Sequence, residues 1–169
     1  VLRNDALSAV VVAASVGAGF IRVNVHTGAA VTDQGIVQGE AAATMRAIAR
    51  DAPGLPVFAD VMVKHSTPLA PLTLERVAAD AAFRGGASAL IVTGEATGSP
   101  ASLEDVRRVR AEAPGVPVLV GSGVTRETAA DTLRAADGII VASAVMAGGV
   151  AGGPVDEARA RSFVESARP

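Results

Sequence analysis

The sequence contains no cysteine, no tryptophan and no tyrosine, and it has only four phenylalanines. Without cysteine the chain forms no disulfide bond, offers no thiolate nucleophile and has no cysteine-ligated zinc site. With aromatic residues at 2% of the chain, the stacking side chains typical of single-stranded nucleic-acid binding are missing. A net charge of −2 with no basic block also argues against nucleic acid as a main partner.

Long apolar runs are absent as well. No run approaches the ~18 residues of a membrane span, and no signal peptide is visible, so we predict a cytoplasmic protein without a membrane span. The 169 residues suit one domain, and half of them are hydrophobic, so the core must be built from alanine, valine, leucine and isoleucine. The abundance of alanine, and of arginine over lysine, is typical of a high-GC bacterium.

Short apolar runs alternate with helical segments along the whole chain. Strict alternation of strands and helices requires a parallel sheet with right-handed crossovers. An open doubly wound sheet and part of a (β/α)8 barrel both satisfy this pattern. Arg22, Asn24, Asp60 and Lys64 fall in one register and favour the barrel, because a barrel interior can pair polar groups in layers. Five strands are predicted, at residues 20–25, 57–63, 89–93, 116–120 and 138–141.

Two turns of small residues follow the last two predicted strands. The first is Gly121-Ser122-Gly123, with Thr125 as the predicted N-cap of the next helix, and the second contains Ala142 and Ser143. Glycines at the carboxyl end of a strand let backbone N–H groups approach an anion, and a helix N-terminus adds its dipole. The two turns therefore predict one phosphate site. The alternative is a pair of tight turns whose glycines serve only the backbone geometry.

Five segments, spread in order over nearly the whole chain, carry a family resemblance. They are VLRNDA at residues 1–6, FIRVNVHTGAAVTDQG at 20–35, FADVMVKH at 58–65, ALIVTGEATG at 89–98 and VPVLVGSGVT at 116–125. In these segments the chain resembles the BtpA/SgcQ family, whose fold is a ribulose-phosphate-binding type of (β/α)8 barrel. Its VLVGSG and ADGIIV turns are similar to the phosphate-binding turns after the seventh and eighth strands of related barrels, which strengthens the prediction of a phosphate site.

The resemblance implies that the five predicted strands are strands four to eight of the barrel. Residues 1–169 would then form a single domain, the C-terminal portion of a barrel that lacks roughly its first three strands, with Val1 and Leu2 at the end of strand three. A full barrel has ~250 residues. Such a portion exposes an unpaired sheet edge, which is a liability for a free chain. Either further sequence covers this edge, or the protein forms a homo-oligomer.

Active sites of such barrels lie at the carboxyl ends of the strands. Lys64 at one strand end can bind a phosphate, act as a base or form a Schiff base, or it can be a rim lysine paired with an aspartate. Asp60 can be a general base, but a structural ion pair with Arg22 is favoured, since buried charges need partners. His26 shares a register with Arg22 and can face the mouth as an acid or base. We take Lys64, Asp60, His26 and Asn24 as the candidate catalytic set.

The predicted phosphorylated ligand has contacts beyond the two small-residue turns. No close metal-ligand spacing such as HxH or HExxH is present, so we predict no metal and no cofactor. The leading interpretation is an enzyme on a phosphorylated small molecule, sugar- or nucleotide-like, by lyase, isomerase or glycosyl-transfer chemistry. The alternatives are a non-catalytic assembly factor and a ligand-binding regulator. The candidate ligand-binding residues are Gly121, Ser122, Gly123, Ala142, Ser143, Thr93, Gly94 and Asp33.

Overall fold

The computed structural model of the chain describes residues 4–33, 35–62, 66–94 and 100–167. Strands and helices alternate along most of this length. A π-helical turn at Asp80–Arg84 extends α3, and short 3-10 turns lie at Ser143–Val145 and Ala147–Gly149. The elements are α1 (Ala6–Val16), β1 (Ile21–Val23), β2 (Ala29–Thr32), β3 (Gly35–Gln38), α2 (Ala41–Asp51), β4 (Val57–Val61), β5 (Ser66–Pro68), α3 (Leu74–Ala79), β6 (Ala89–Val92), α4 (Leu103–Glu112), β7 (Val118–Val120), α5 (Ala129–Ala135), β8 (Gly138–Ile139) and α6 (Glu157–Ser166).

The principal sheet has five parallel strands in the order β1-β4-β6-β7-β8. These are the five strands that the sequence predicts, in the predicted order, although each is shorter at one or both ends. Within the described residues β1 and β8 do not pair, so the sheet is a barrel portion that does not close. The predicted α/β fold, a partial (β/α)8 barrel, is confirmed.

The outer face of the sheet carries the larger of two apolar cores. Ala59, Leu90 and Val118 are neighbours in register on three adjacent strands, and all three are buried. They pack in one cluster with Val106 and Val109 of α4. Full burial of a valine or leucine side chain contributes about 1.5–3 kcal/mol, so rows of this kind hold the helices against the sheet. The core is aliphatic, as the composition predicts.

The inner face of the sheet carries the polar side chains. Because side chains alternate along a strand, Arg22 and Asp60 face the side opposite to the helix-packed row. Phe20 and Phe58 lie on this same face, nearer the amino ends of the strands, with their rings stacked at a centroid distance of 4.3 Å. The carboxyl ends of the strands therefore place polar groups together at one rim.

A second sheet is formed by two strands that follow β1, at residues 29–32 and 35–38, and by β5 at residues 66–68. It has three antiparallel strands in the order β3-β2-β5. The β2–β3 pair is a hairpin whose turn contains Asp33, and the Thr32 hydroxyl donates to the Gly35 carbonyl across it. Gly35 has φ 99°, a value that favours glycine. These three strands are not among the five that the sequence predicts, because runs of about four residues are too short for a clear periodic signal.

Four helices begin at an N-cap residue whose side chain accepts a hydrogen bond from the backbone N–H of the residue three positions later. These caps are Asp5, Thr73, Ser102 and Asp156. The helix predicted to start at Arg126 begins instead at Ala129, and Thr125 is not its cap. The backbone N–H of Thr125 instead donates to the Thr128 hydroxyl at 3.0 Å, which closes the turn just before α5. In the described ranges, no helix combines the length and apolarity needed to cross a membrane.

Candidate phosphate site at the strand ends

The turn after β7 is fixed by hydrogen bonds to the end of β6. The Gly121 N–H donates to the Val92 carbonyl at 2.8 Å, and the Gly94 N–H donates to the Ser122 hydroxyl at 3.0 Å. The Gly121 amide and the Ser122 hydroxyl, both in the predicted ligand set, thus hold the two strand ends together. Gly123 follows with φ 69°, in the left-handed region that favours glycine, and turns the chain toward α5.

The turn after β8 is a single 3-10 turn, Ser143–Val145. The N–H groups of Val145 and Met146 donate to the carbonyls of Ala142 and Ser143. The N–H groups of Ser143 and Ala144 have no acceptor among the described residues, as expected for the first donors of a helical turn. The turn therefore presents free backbone donors at the carboxyl end of β8.

Two adjoining cavities share the walls formed by these turns. One, of about 200 Å³, is lined by Arg22 with residues 121–124, 140–144 and 151. The other, of about 610 Å³, lies between the same turns and α6. The residues common to both linings are Gly123, Val124, Ser143 and Ala144. In the described part of the chain, none of their four N–H groups has an acceptor, so both turns contribute residues with unpaired backbone donors to the linings of the two cavities.

Beside these turns, Asp60 holds Arg22 and Asn24 on the inner face of the sheet. The Arg22 guanidinium donates from Nε and Nη2 to the two carboxylate oxygens of Asp60, at 3.0 and 2.7 Å. The Asn24 amide donates to Asp60 Oδ2 at 2.6 Å. The Asp60 side chain is 1% exposed, whereas that of Arg22 is 35% exposed. The ion pair that the sequence favours for Asp60 is present, and no free lone pair of this carboxylate faces solvent.

His26 is buried beside a small cavity of about 40 Å³ that Asn24, Asp60 and Met62 also line. Its side chain is 2% exposed, and its Nε2 lies 2.9 Å from the Gly85 carbonyl at the end of the π-helical turn. Since a carbonyl only accepts, Nε2 carries the hydrogen in the neutral ring, and Nδ1 has no partner among the described residues. Burial lowers the pKa of His26, against a smaller opposing contribution from the Gly85 hydrogen bond. The cavity brings His26 together with Asn24 and Asp60 of the predicted catalytic set, and its role as an acid or base stays a prediction.

The buried histidine predicts a pH dependence of stability. Below pH ~6.5 the unfolded chain binds a proton at His26 that the folded chain does not, so the free energy of unfolding falls with decreasing pH. The slope reaches at most about 1.4 kcal/mol per pH unit and ends at the lower pKa of the folded state. Urea unfolding of the wild type and of His26→Gln across this range measures it, and the variant should lose most of the slope. His65→Gln, which removes the other histidine, is the control; an equal effect there would contradict the assignment.

The remaining predicted site residues divide into three groups. Thr93 lies at the end of β6, where its hydroxyl is buried without a partner in the described ranges. Asp33 is exposed in the β2–β3 turn, and Ala142 precedes the 3-10 turn after β8. Lys64 and the neighbouring His65 lie outside the described residues, so the proposed roles of Lys64 stay predictions. Met62, just before them, has φ 59°, a left-handed conformation that is rare for a residue with a side chain.

Arg22 lines the 200 Å³ cavity, although it is not among the ligand-binding residues that the sequence predicts. The sequence pattern predicts Arg22 as an inner-face residue and as a partner of Asp60, whereas in the structure an ideal Cβ built on Gly121 would lie 3.4 Å from its Nη2. The guanidinium thus reaches from β1 across the inner face to the turn after β7. The register of β1 was sufficient to place Arg22 on the inner face, but the reach of its side chain depends on the curvature of the sheet.

Sequence comparison connects the whole chain with one family. The profile of the BtpA family matches residues 1–169. Photosystem I biogenesis protein BtpA of Synechocystis sp. is 42% identical over 166 residues, which are 98% of this chain and 58% of that protein. An uncharacterised protein of Pyrococcus horikoshii is 45% identical over 149 residues, 88% of this chain and 56% of that protein. The chain thus spans less than two thirds of the length of these relatives. Because relatives are found in archaea as well as in bacteria, the bacterial source stays a prediction.

Solved structures with the same fold are barrel enzymes. N-(5'-phosphoribosyl)anthranilate isomerase from Pyrococcus furiosus superposes with a TM-score of 0.57 and 17% identity, over 95% of this chain and 68% of that one. An archaeal fructose 1,6-bisphosphate aldolase superposes with a TM-score of 0.52 and 20% identity, over 92% of this chain and 60% of that one. At these identities the likeness establishes the fold and no more.

Proposed function

The chain belongs to the BtpA family, and on that premise we propose that its two turns after β7 and β8 bind the phosphate group of a small molecule. The observation that carries the proposal is the set of four backbone N–H groups without an acceptor in the described residues, at Gly123, Val124, Ser143 and Ala144. All four residues line both cavities at the strand ends. Backbone donors at such turns stabilise an anion without the entropy cost of ordering long side chains.

The barrel fold supports this location. In (β/α)8 enzymes the loops after strands seven and eight, with the N-terminus of a short extra helix, form a frequent phosphate site. In this chain β7 and β8 are the last two strands of the sheet, and the 3-10 turn Ser143–Val145 is such a short helix. The names of the two structural neighbours indicate phosphorylated ligands for those proteins, in line with the proposed ligand class.

We infer further that the protein is an enzyme acting on this phosphorylated molecule, which is sugar- or nucleotide-like. Polar groups concentrate at the rim of the strands, where Asp60 is paired with Asn24 and with Arg22 of the 200 Å³ cavity, and Lys64 follows β4 in sequence. Because the Asp60 carboxylate already accepts three hydrogen bonds, Lys64 is the better candidate for the reacting group. Lyase, isomerase and glycosyl-transfer chemistry are each compatible with these residues.

We also propose that the chain is a single domain that supplies strands four to eight of an eight-stranded barrel. Two observations support this assignment. The chain covers 58% of its Synechocystis relative and superposes on 60–68% of two barrel enzymes. The inner face of the sheet, with Arg22 and Phe20, is partly exposed here, whereas further strands of a closed barrel would cover it.

The substitution Ser143→Asp tests the proposed phosphate site. Its carboxylate would stand beside the four backbone donors, and two like charges ~4 Å apart repel by about 4 kcal/mol at an effective dielectric of ~20. We expect inorganic phosphate to bind the wild type and to bind the variant at least about a hundredfold more weakly by isothermal titration calorimetry. A thermal-shift screen of sugar phosphates and nucleotides then identifies the ligand class.

Ser8→Asp is the matched control for this experiment. It adds the same charge in the exposed first turn of α1, at the other end of the chain from the two turns, where an acidic residue suits the helix dipole. This variant should bind phosphate as the wild type does. A folded wild type with no affinity for phosphate or for any phosphorylated compound would overturn the proposed function.

One observation favours a second candidate function, a non-catalytic assembly factor. Leu7, Val11, Val12 and Val16 form an exposed apolar face on α1, a helix that has no charged residue, and a relative is named for photosystem I biogenesis. If this face binds a partner protein, the double variant Val11→Glu/Val16→Glu, which places two charges on it, should abolish that association and leave phosphate binding unchanged. Sedimentation velocity on the same variant tests the homo-oligomer, which should dissociate.

A further inference from the structure

The Arg22 guanidinium is held in place on one edge only. Nε and Nη2 are paired with the two oxygens of Asp60, an arrangement that fixes the plane of the group. Nη1 has no partner among the described residues, and Arg22 is the one charged residue in the lining of the 200 Å³ cavity. A fixed guanidinium with both N–H groups of Nη1 unused at a cavity is suited to bind an oxyanion.

The same cavity meets backbone donors from two directions. Gly123 and Val124 come from the turn after β7, and Ser143 and Ala144 come from the turn after β8. The Arg22 guanidinium forms a third side, because it packs against Gly121, where an ideal Cβ would be 3.4 Å from Nη2. Three groups of residues with hydrogen-bond donors therefore line the 200 Å³ cavity: the turn after β7, the turn after β8 and Arg22.

We propose that Arg22 binds the phosphate directly through Nη1, so that the site selects phosphate monoesters over diesters. This inference rests on the proposed function. A monoester has three free oxygens, one for each group of donors, whereas a diester has only two and leaves one group unpaired. A polar group left unpaired in a desolvated site costs affinity, so the loss of one oxygen is penalised.

Selectivity between methyl phosphate and dimethyl phosphate tests the proposal, at pH ~8 where the monoester is a dianion. The wild type should bind methyl phosphate at least about tenfold more tightly than dimethyl phosphate. The test variant is Arg22→Gln combined with Asp60→Asn, which removes the guanidinium and the buried carboxylate together. Its amides can replace the ion pair by neutral hydrogen bonds, so the fold should survive. In this variant the selectivity ratio should fall by about tenfold.

The outcomes separate this inference from the proposed function. If the wild type binds methyl phosphate and the folded variant keeps the wild-type ratio, Arg22 does not contact the phosphate, and only the inference is overturned. If the wild type binds neither compound, the phosphate site itself is overturned. If the variant does not fold, nitrogen-15 NMR of the Arg22 side chain in the wild type tests whether Arg22 contacts the phosphate. A shift of its Nη1 protons on titration with methyl phosphate supports the contact, and unchanged resonances overturn it.

Discussion

Replacing Arg22 by leucine is expected to lower the free energy of unfolding by about 3–5 kcal/mol. The Asp60 carboxylate, whose side chain is 1% exposed, would lose two of its three hydrogen bonds and its only ion pair among the described residues. Asn24 would remain as a single donor, which is too little to compensate a desolvated charge. Equilibrium unfolding in urea, followed by circular dichroism, measures the loss.

Two further variants separate this explanation from a general sensitivity of the chain. Arg161→Leu breaks an exposed pair with Glu157 on α6, and we expect a loss of about 0.5 kcal/mol or less. Arg22→Met combined with Asp60→Leu removes the buried carboxylate together with its partner, and it should recover most of the stability that Arg22→Leu loses. A loss below about 1 kcal/mol in Arg22→Leu would mean that Asp60 is solvated in the folded protein.

The Arg22–Asp60 pair also shows which parts of the site are readable from sequence. Alternation along a strand is a local property, so the apolar Ile21 and Val23 assign their face to the helices and leave Arg22 on the other. The same argument applies to Asp60 between Ala59 and Val61 on β4. Arg22 and Asp60 on adjacent strands and on the same face are then expected to be partners, because a buried carboxylate needs a partner.

His26 lies beyond the reach of this argument. Alternation from Arg22 predicts it on the inner face, but β1 ends at Val23, three residues before His26, and alternation is a property of strand backbone alone. Its ring position is set instead by Gly85, fifty-nine residues away in sequence. Likewise, the Ser122 hydroxyl and the Gly121 amide look like anion ligands in sequence, and only the structure shows that they join β7 to β6. Long-range partners of this kind have no local signal.

Gly39→Ala is the second substitution with a large expected effect. An ideal Cβ at this position would lie 2.5 Å from the His26 carbonyl oxygen and 2.6 Å from Thr27 Cα. Both atoms belong to the backbone, so no side-chain rotation relieves the overlap. The His26 carbonyl also accepts the Ala41 N–H at the start of α2, so moving it loses a further hydrogen bond. We expect the free energy of unfolding to fall by about 1–3 kcal/mol in urea titrations.

Gly19→Ala is the matched control, because it makes the same change at a glycine where a Cβ would meet nothing within 4 Å and φ is outside the left-handed region. Alanine there should leave stability unchanged or raise it by about 0.4–1 kcal/mol, since it restricts the unfolded chain. If both variants lose equal stability, the close contact at Gly39 is not the cause. If only Gly39→Ala is destabilised, then the small antiparallel sheet, which enters α2 through Gly39, is packed tightly against His26. The pH dependence assigned to His26 should then also weaken in Gly39→Ala, because a displaced ring is less buried and its pKa is less depressed.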